Sequence, residues 1–247
     1  MIELKSASEI DQIRRAGRIV AGLLKHLTGL LKPGVTTGGL DEAARAYLSE
    51  QKAEPAFLGY RGFPAVICVS VNEEVVHGIP GPRALREGDL VSLDVGCVVD
   101  GWYADAAATA GIGALPPEAR RLADTTKRAL EEGIKQARVG HRLSDISHAV
   151  QRAVEKEGFG VVREFVGHGI GRLLHEDPPV PNYGPPGMGP RLKAGMVLAI
   201  EPMVTLGRAD VHVLADGWTA VTNDKSLAAH FEHTVAVTDR GPDVLTA

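Results

Sequence analysis

Cysteine is nearly absent: only Cys68 and Cys97 occur in the 247 residues, both inside apolar, strand-like runs. Two such thiols exclude a disulfide framework and lack the spacing of a structural zinc site, so buried free thiols in a reducing, cytoplasmic compartment are expected. Long apolar runs are missing too. None approaches the roughly 20 residues of a membrane span. The opening MIELKSASEIDQIRR carries charges where a signal peptide would place its apolar core. Positive charge is not in excess: a formal net charge of -4 gives no electrostatic reason to expect nucleic acid or an anionic bilayer as the main partner. Aromatic residues make up only 4% of the chain, which makes the places where they gather informative.

What is present reads as a globular chain, with 44% hydrophobic and 23% charged residues and enough length to bury most of its apolar surface. Ser6-x-x-Glu9 forms a capping-box pattern. Ile10, Ile13, Gly17, Val20, Leu23, Leu24, Leu27 and Leu31 then recur at helical spacing until Pro33-Gly34 stops them. A second helix is expected from about Leu40 to Gln51, with Leu40, Ala43, Ala44, Tyr47 and Leu48 on one face, and a strand near Val66 to Val71. After Pro116-Pro117 the pattern restarts. Arg14-Arg15 is echoed by Arg120-Arg121, Gly34 by Gly140, and Leu40, Ala43 and Leu48 by Ile146, Ala149 and Val154, all at one offset. With a slip of one residue EGDLVSLDV aligns with KAGMVLAIEP, and YADAAAT then aligns with HFEHTVAV. Asp94 thereby falls against Glu201 and Asp105 against Glu232. The shared order of helix, helix, strand, acid, strand, acid points to two α+β halves, approximately 1–113 and 114–247, related by duplication within a single domain 1–247, because no linker-like run separates them.

The chemistry starts at VSLDVGCVVDGWYADAA, Val91 to Ala107. Asp100-Gly101 between two strand-forming runs is a hairpin signal, since a two-residue turn needs positive φ at both positions. A tight turn there sets Val99 opposite Trp102 and Asp94 opposite Ala107. Asp105 is then diagonal to Asp94 on one face, with a bulge at Gly96 the feature that would spoil the parity. Diagonal neighbours lie about 7–8 Å apart, near enough for two carboxylates to share a cation; a solvated polar face is the plainer alternative. If the halves pack together, Asp94, Asp105, Glu201 and Glu232 converge. No Lys or Arg lies between Val91 and Ala107 or between Ala194 and Thr205, so metal is favoured over salt bridging as the remedy for their repulsion. In REFVGHGIGRLLHEDPPV, His168 sits between Gly167 and Gly169, where the backbone permits close approach, and a second His-Gly-Ile occurs at His77. One imidazole with four carboxylates suits a pair of divalent first-row ions, Co, Mn, Fe or Zn, and a two-metal site of that kind is well matched to hydrolysis.

At these residues the sequence resembles the type I methionine aminopeptidases of the pita-bread fold. VHGIPG, the Asp94/Asp105 hairpin, GHGIGRLLHEDP, AIEPMV and FEHT carry the resemblance, which extends over nearly the whole chain. It implies an α+β fold with two pseudo-symmetric halves, mainly antiparallel sheet and helices outside. It also implies Asp94, Asp105, His168, Glu201 and Glu232 as ligands of two divalent ions, with Asp105 and Glu232 bridging and Glu201 relaying a proton. His77 and His175 would bind substrate and stabilise the tetrahedral intermediate. Phe57, Tyr60, Phe63, Cys68, Leu174 and Trp218 would form a methionine pocket, and the bunching of three scarce aromatics in one Gly-rich loop favours a pocket over plain core. The substrate would be a peptide or nascent chain with a small second residue, handled by a monomer, and association with the ribosome is a further expectation. Departures from the family pattern are Gly96 in place of a Thr, Tyr103-Ala104 in place of His-Gly, and Phe57 and Leu174 in the pocket. They bear on metal preference and efficiency. Among relatives, proline-specific peptidases carry an extra N-terminal domain, and type II enzymes carry a helical insertion for which the stretch between Glu201 and Glu232 has no room. Absence of a zinc-finger extension points to a bacterial-type enzyme. A non-catalytic binding module would be expected to lack a ligand, and none is missing.

Overall fold

The computed structural model describes residues 1–247. Helix α1 runs Ala7–Leu30, and its first turn carries the expected capping box: Ser6 accepts from the Glu9 N–H while Glu9 accepts from the Ser6 N–H. Such a cap contributes about 1 kcal/mol. The apolar stripe from Ile10 to Leu27 is buried, and it lies on the hairpin strands Leu90–Val99 and Trp102–Gly111. Helix α2 spans Thr37–Glu50 and begins one turn earlier than its apolar periodicity suggested. The extra turn, which holds Gly38 and Gly39, is supported from outside. Thr36 accepts from the Gly39 N–H, and the Thr37 and Gly38 N–H groups donate to the carbonyls of Arg83 and Gly81. The strand expected near Val66 is Ile67–Val71.

The hairpin turns at Asp100-Gly101, where φ is 52° and 74°, and its register runs unbroken from Leu90↔Gly111 to Val99↔Trp102. Asp94 pairs with Ala107 and Gly96 with Asp105, so both acids share a face and there is no bulge. After Gly111 come α3, Pro117–Gln136, and α4, Leu143–Glu155, which pack on each other.

A nine-stranded sheet runs through the molecule with every pairing antiparallel. Along its centre the order is Ile67–Val71, Leu90–Val99, Trp102–Gly111, Glu232–Thr238, Val197–Ile200, Gly167–Gly169. Two antiparallel pairs therefore meet in the middle, and each is flanked by a third strand. The join pairs Glu232 with Ala107, and His233 pairs with Ile200 on the other side. These registers set Asp94, Asp105, Glu232 and Glu201 along one region of the sheet, as the alignment of the two halves required. The largest core cluster lies between α1, α2 and the first-half strands; a second joins Leu130, Ile146, Leu198, Ile200 and Val235 beneath α3 and α4. Both cysteines are buried and unpaired. No helix is long and apolar enough to cross a membrane.

Candidate active site

The sheet's strands position the acids, and a cavity of about 190 Å³ opens over them. That is smaller than the roughly 300–1,000 Å³ of pockets for drug-sized ligands, and it suits one side chain with its adjoining backbone. All five expected ligand residues line it: Asp94, Asp105, His168, Glu201 and Glu232. Asp105, His168 and Glu232 bring ligand atoms within 4.8 Å of one another. Asp105 is anchored by Thr234, whose hydroxyl lies 2.8 Å from its carbonyl oxygen and 3.2 Å from Oδ1. Glu201 follows the strand Val197–Ile200 and precedes Pro202, which favours extended backbone. Asn182 Nδ2 donates to its carbonyl oxygen at 3.0 Å.

His168 presents its nitrogens in a way that decides its role. Nδ1 lies 2.9 Å from the Gly169 carbonyl oxygen, so it carries the hydrogen and leaves the Nε2 lone pair free. Nε2 faces Asp105 Oδ2 at 3.6 Å and Glu201 Oε1 at 3.5 Å. The flanking glycines are needed for strand contact: a Cβ on Gly167 would lie 2.3 Å from the Ala199 carbonyl oxygen.

No Lys or Arg forms an ion pair with any of the four acids. Burial pushes all four carboxyls above their ordinary range, and mutual repulsion adds to this: Asp105 acts on Asp94, and Asp105 and Asp94 act on both Glu201 and Glu232. Ionised, this group needs a cation. Four carboxylates and one free imidazole nitrogen form a hard, oxygen-rich donor set that fits divalent first-row ions.

Two further histidines line the wall. His77 adopts a left-handed φ of 60° and sits edge-on to Phe165, with ring centroids 5.3 Å apart. Burial lowers its pKa. His175 places Nδ1 2.8 Å from the Tyr60 hydroxyl, and its ring lies 4.2 Å from that of His168. Burial, then the charges of His168, Arg61 and His77, push it down to about 3. Both imidazoles are therefore neutral near pH 7 and keep an N–H to donate.

The apolar end of the cavity contains Phe57, Tyr60, Phe63, Cys68, Leu174 and Trp218. Phe63 and Trp218 meet edge to face at 5.1 Å. Several lining residues were not singled out from the sequence: Arg61, Val76, Phe165, Val166, Met203 and His230. His230 had a readable signal, since it precedes Glu232 by two positions in a strand-like run. Phe165 and Met203 offered none, because a lone apolar residue beside a motif looks like core.

A match to the metallopeptidase family M24 spans residues 11–239, and the chain belongs to that family. Its fold is the pita-bread α+β fold expected from the motifs, and its family implies divalent metal and a peptide substrate. Among its relatives, methionine aminopeptidase 1 of Bacillus subtilis is 52% identical over 246 residues, covering 100% of this chain and 99% of the relative. Methionine aminopeptidase of Clostridium acetobutylicum is also 52% identical, with the same coverage. The crystal structure of methionine aminopeptidase from Thermotoga maritima superposes with a TM-score of 0.98 at 47% identity, covering 100% of this chain and 99% of that one. The prolidase from Pyrococcus horikoshii shares the fold alone, with a TM-score of 0.79 at 21% identity over 63% of its length.

Proposed function

We propose that this chain is a metal-dependent aminopeptidase that removes N-terminal methionine from peptides and nascent proteins whose second residue is small. The observation that carries this reading is the buried set of four carboxylates and one free imidazole nitrogen, without a basic counter-ion, at the floor of an apolar, aromatic cavity. Full-length relatives named methionine aminopeptidase supply the substrate class.

Asp94, Asp105, His168, Glu201 and Glu232 would hold two divalent ions between them. When bound, such ions would acidify an attacking water and polarise the scissile carbonyl. Glu201 takes the proton from that water and passes it to the leaving amine. His77 and His175 donate N–H groups to the carbonyl oxygen as negative charge develops on it; the Tyr60 hydroxyl at His175 Nδ1 holds that ring in orientation. The thioether lies among Phe57, Tyr60, Phe63, Cys68, Leu174 and Trp218, where soft sulfur–aromatic contacts replace hydration. Gly96, the hairpin partner of Asp105, and Tyr103 and Ala104, which precede it on the same strand, supply no ligand, so they bear on metal preference and efficiency rather than abolish binding. The metal is Co, Mn, Fe or Zn; affinity order alone does not select among them. The two related halves act as one catalytic unit of residues 1–247. The enzyme works as a cytoplasmic monomer, and emerging chains make the ribosome its natural meeting place.

Release of methionine from Met-Ala-Ser, compared with Xaa-Pro peptides and with and without added Mn²⁺ or Co²⁺, tests the reading. Metal-dependent cleavage of the first peptide alone is expected. Preference for the Xaa-Pro bond would replace the reading with a proline-specific one.

A further inference from the structure

Glu201 is bracketed by two imidazoles, one at each carboxylate oxygen. His168 Nε2 faces Oε1 at 3.5 Å, and His230 Nε2 faces Oε2 at 3.9 Å. His168 has its other nitrogen on the Gly169 carbonyl. His230 has nothing: its residue is 2% exposed, and neither ring nitrogen has a hydrogen-bond partner. An unpartnered buried polar group costs about 1–3 kcal/mol. A hydrophobic residue of similar volume would avoid that cost, so the ring's place in the cavity wall calls for a role.

The backbone around it is held on both sides. The His230 N–H donates to Thr109 Oγ1 at 2.8 Å, and Thr109 Oγ1 donates to the His230 carbonyl at 2.7 Å. His230 also pairs with Met203, two residues beyond Glu201, and Glu201 itself is fixed through Asn182. The ring and the carboxylate therefore approach each other from two clamped segments, the strand end at His230 and the link after Val197–Ile200, and a shift of about 1 Å would bring them to an ordinary N–H···O contact of about 2.9 Å.

We propose that His230 is a positioning residue for Glu201: its Nε2–H donates to Oε2 and holds the carboxylate in the rotamer that carries the proton from water to leaving amine. Without that donor Glu201 would sample other rotamers, and both proton transfer and metal affinity would weaken. The inference rests on the aminopeptidase reading above.

The test uses Mn²⁺-loaded enzyme with Met-Ala-Ser, and calorimetric Mn²⁺ titration of chelated protein, for wild type, H230L and H230Q. H230L should lower kcat by about 10–100-fold and weaken Mn²⁺ binding by a similar factor, the range for partners of metal-binding side chains. KM should be nearly unchanged, because the ring acts on Glu201 and not on the substrate. H230Q retains an N–H donor and should recover most of both. A purely space-filling role would leave H230L close to wild type, which would overturn the inference. So would an elevated KM at unchanged kcat, which would place the ring on substrate, or an H230Q no better than H230L. Wild-type protein that releases no methionine in any metal would defeat the aminopeptidase reading itself. The calorimetric comparison would still report on Glu201 in that case.

Discussion

The ring of Phe57 occupies the space that a side chain at position 96 would need: a Cβ on Gly96 would lie 2.8 Å from Phe57 Cε1 and 3.0 Å from Cζ. Gly96 is also the hairpin partner of Asp105. Gly96 and Phe57, both departures expected from the family pattern, therefore compete for one space between the Asp105 hairpin and the pocket wall.

Gly96→Thr should destabilise the protein by about 1–3 kcal/mol through overpacking. Phe57→Ala alone should cost about 3–5 kcal/mol by leaving a cavity. Combined, they should cost less than their sum by about 0.5–3 kcal/mol, as expected of residues that share a space. Urea unfolding of the four proteins closes the cycle, and strict additivity would mean that Phe57 moves aside freely.

Glu201→Gln should lower turnover by about 10²–10⁴-fold, the range for a positioned acid–base group. Circular dichroism should be unchanged, because Glu201 pairs with no Lys or Arg and Gln keeps its shape beside His168 and His230. Wild-type turnover in the variant would remove Glu201 from proton transfer.

His77→Ala should lower kcat by about 10²–10³-fold, the loss seen when one oxyanion donor is removed. Metal content, read by plasma emission, should stay at the wild-type level. Loss of metal would place His77 among the ligands instead.

Metal-free protein should become less stable as pH rises from about 7 to about 8. Asp94, Asp105, Glu201 and Glu232 titrate higher in the folded chain than free carboxylates do. At these four groups the folded state thus binds more protons than the unfolded one from about pH 4 upward, and their contribution to stability falls as pH rises through the raised values. Asp224 works the other way: hydrogen bonds from Arg208 and Ser226 hold it at about 2. Its contribution is lost only below about pH 4, outside that window. Below about pH 6.5 the buried histidines oppose the carboxyl trend, because His77, His175, His230 and His233 titrate lower in the folded chain than free imidazole does. Thermal melts of chelated protein should therefore show the carboxyl effect above that range, with a higher Tm at about pH 7 than at about pH 8. Added Mn²⁺ should reverse that order, since metal competes with protons for the same oxygens. The same pH trend with and without metal would contradict the account.

The hairpin was legible because its turn chemistry and period-two alternation are local. Asp100-Gly101 fixes the register, and the register alone puts Asp94 and Asp105 on one face. The partnership with Glu201 and Glu232 was legible through the internal repeat, which carries long-range information in a single chain. The early start of α2 was not, since its first turn is supported by carbonyls of Gly81 and Arg83 that lie far along the sequence. Nor was the link between Gly96 and Phe57, for these residues meet only when the loop folds over the hairpin. His230 was not singled out: it ends one strand and Glu232 begins the next, and its bare nitrogens and its closeness to Glu201 are facts of packing.

Calorimetric titration of chelated protein with Mn²⁺, wild type beside Asp105→Asn, tests the central claim most directly. Two ions per chain should bind the wild type, with protons released as the raised carboxyls ionise, and the variant should lose the tight phase because its shared ligand is gone. Absence of binding to the wild type, or equal binding by the variant, would contradict the reading of this hairpin as half of a dinuclear site.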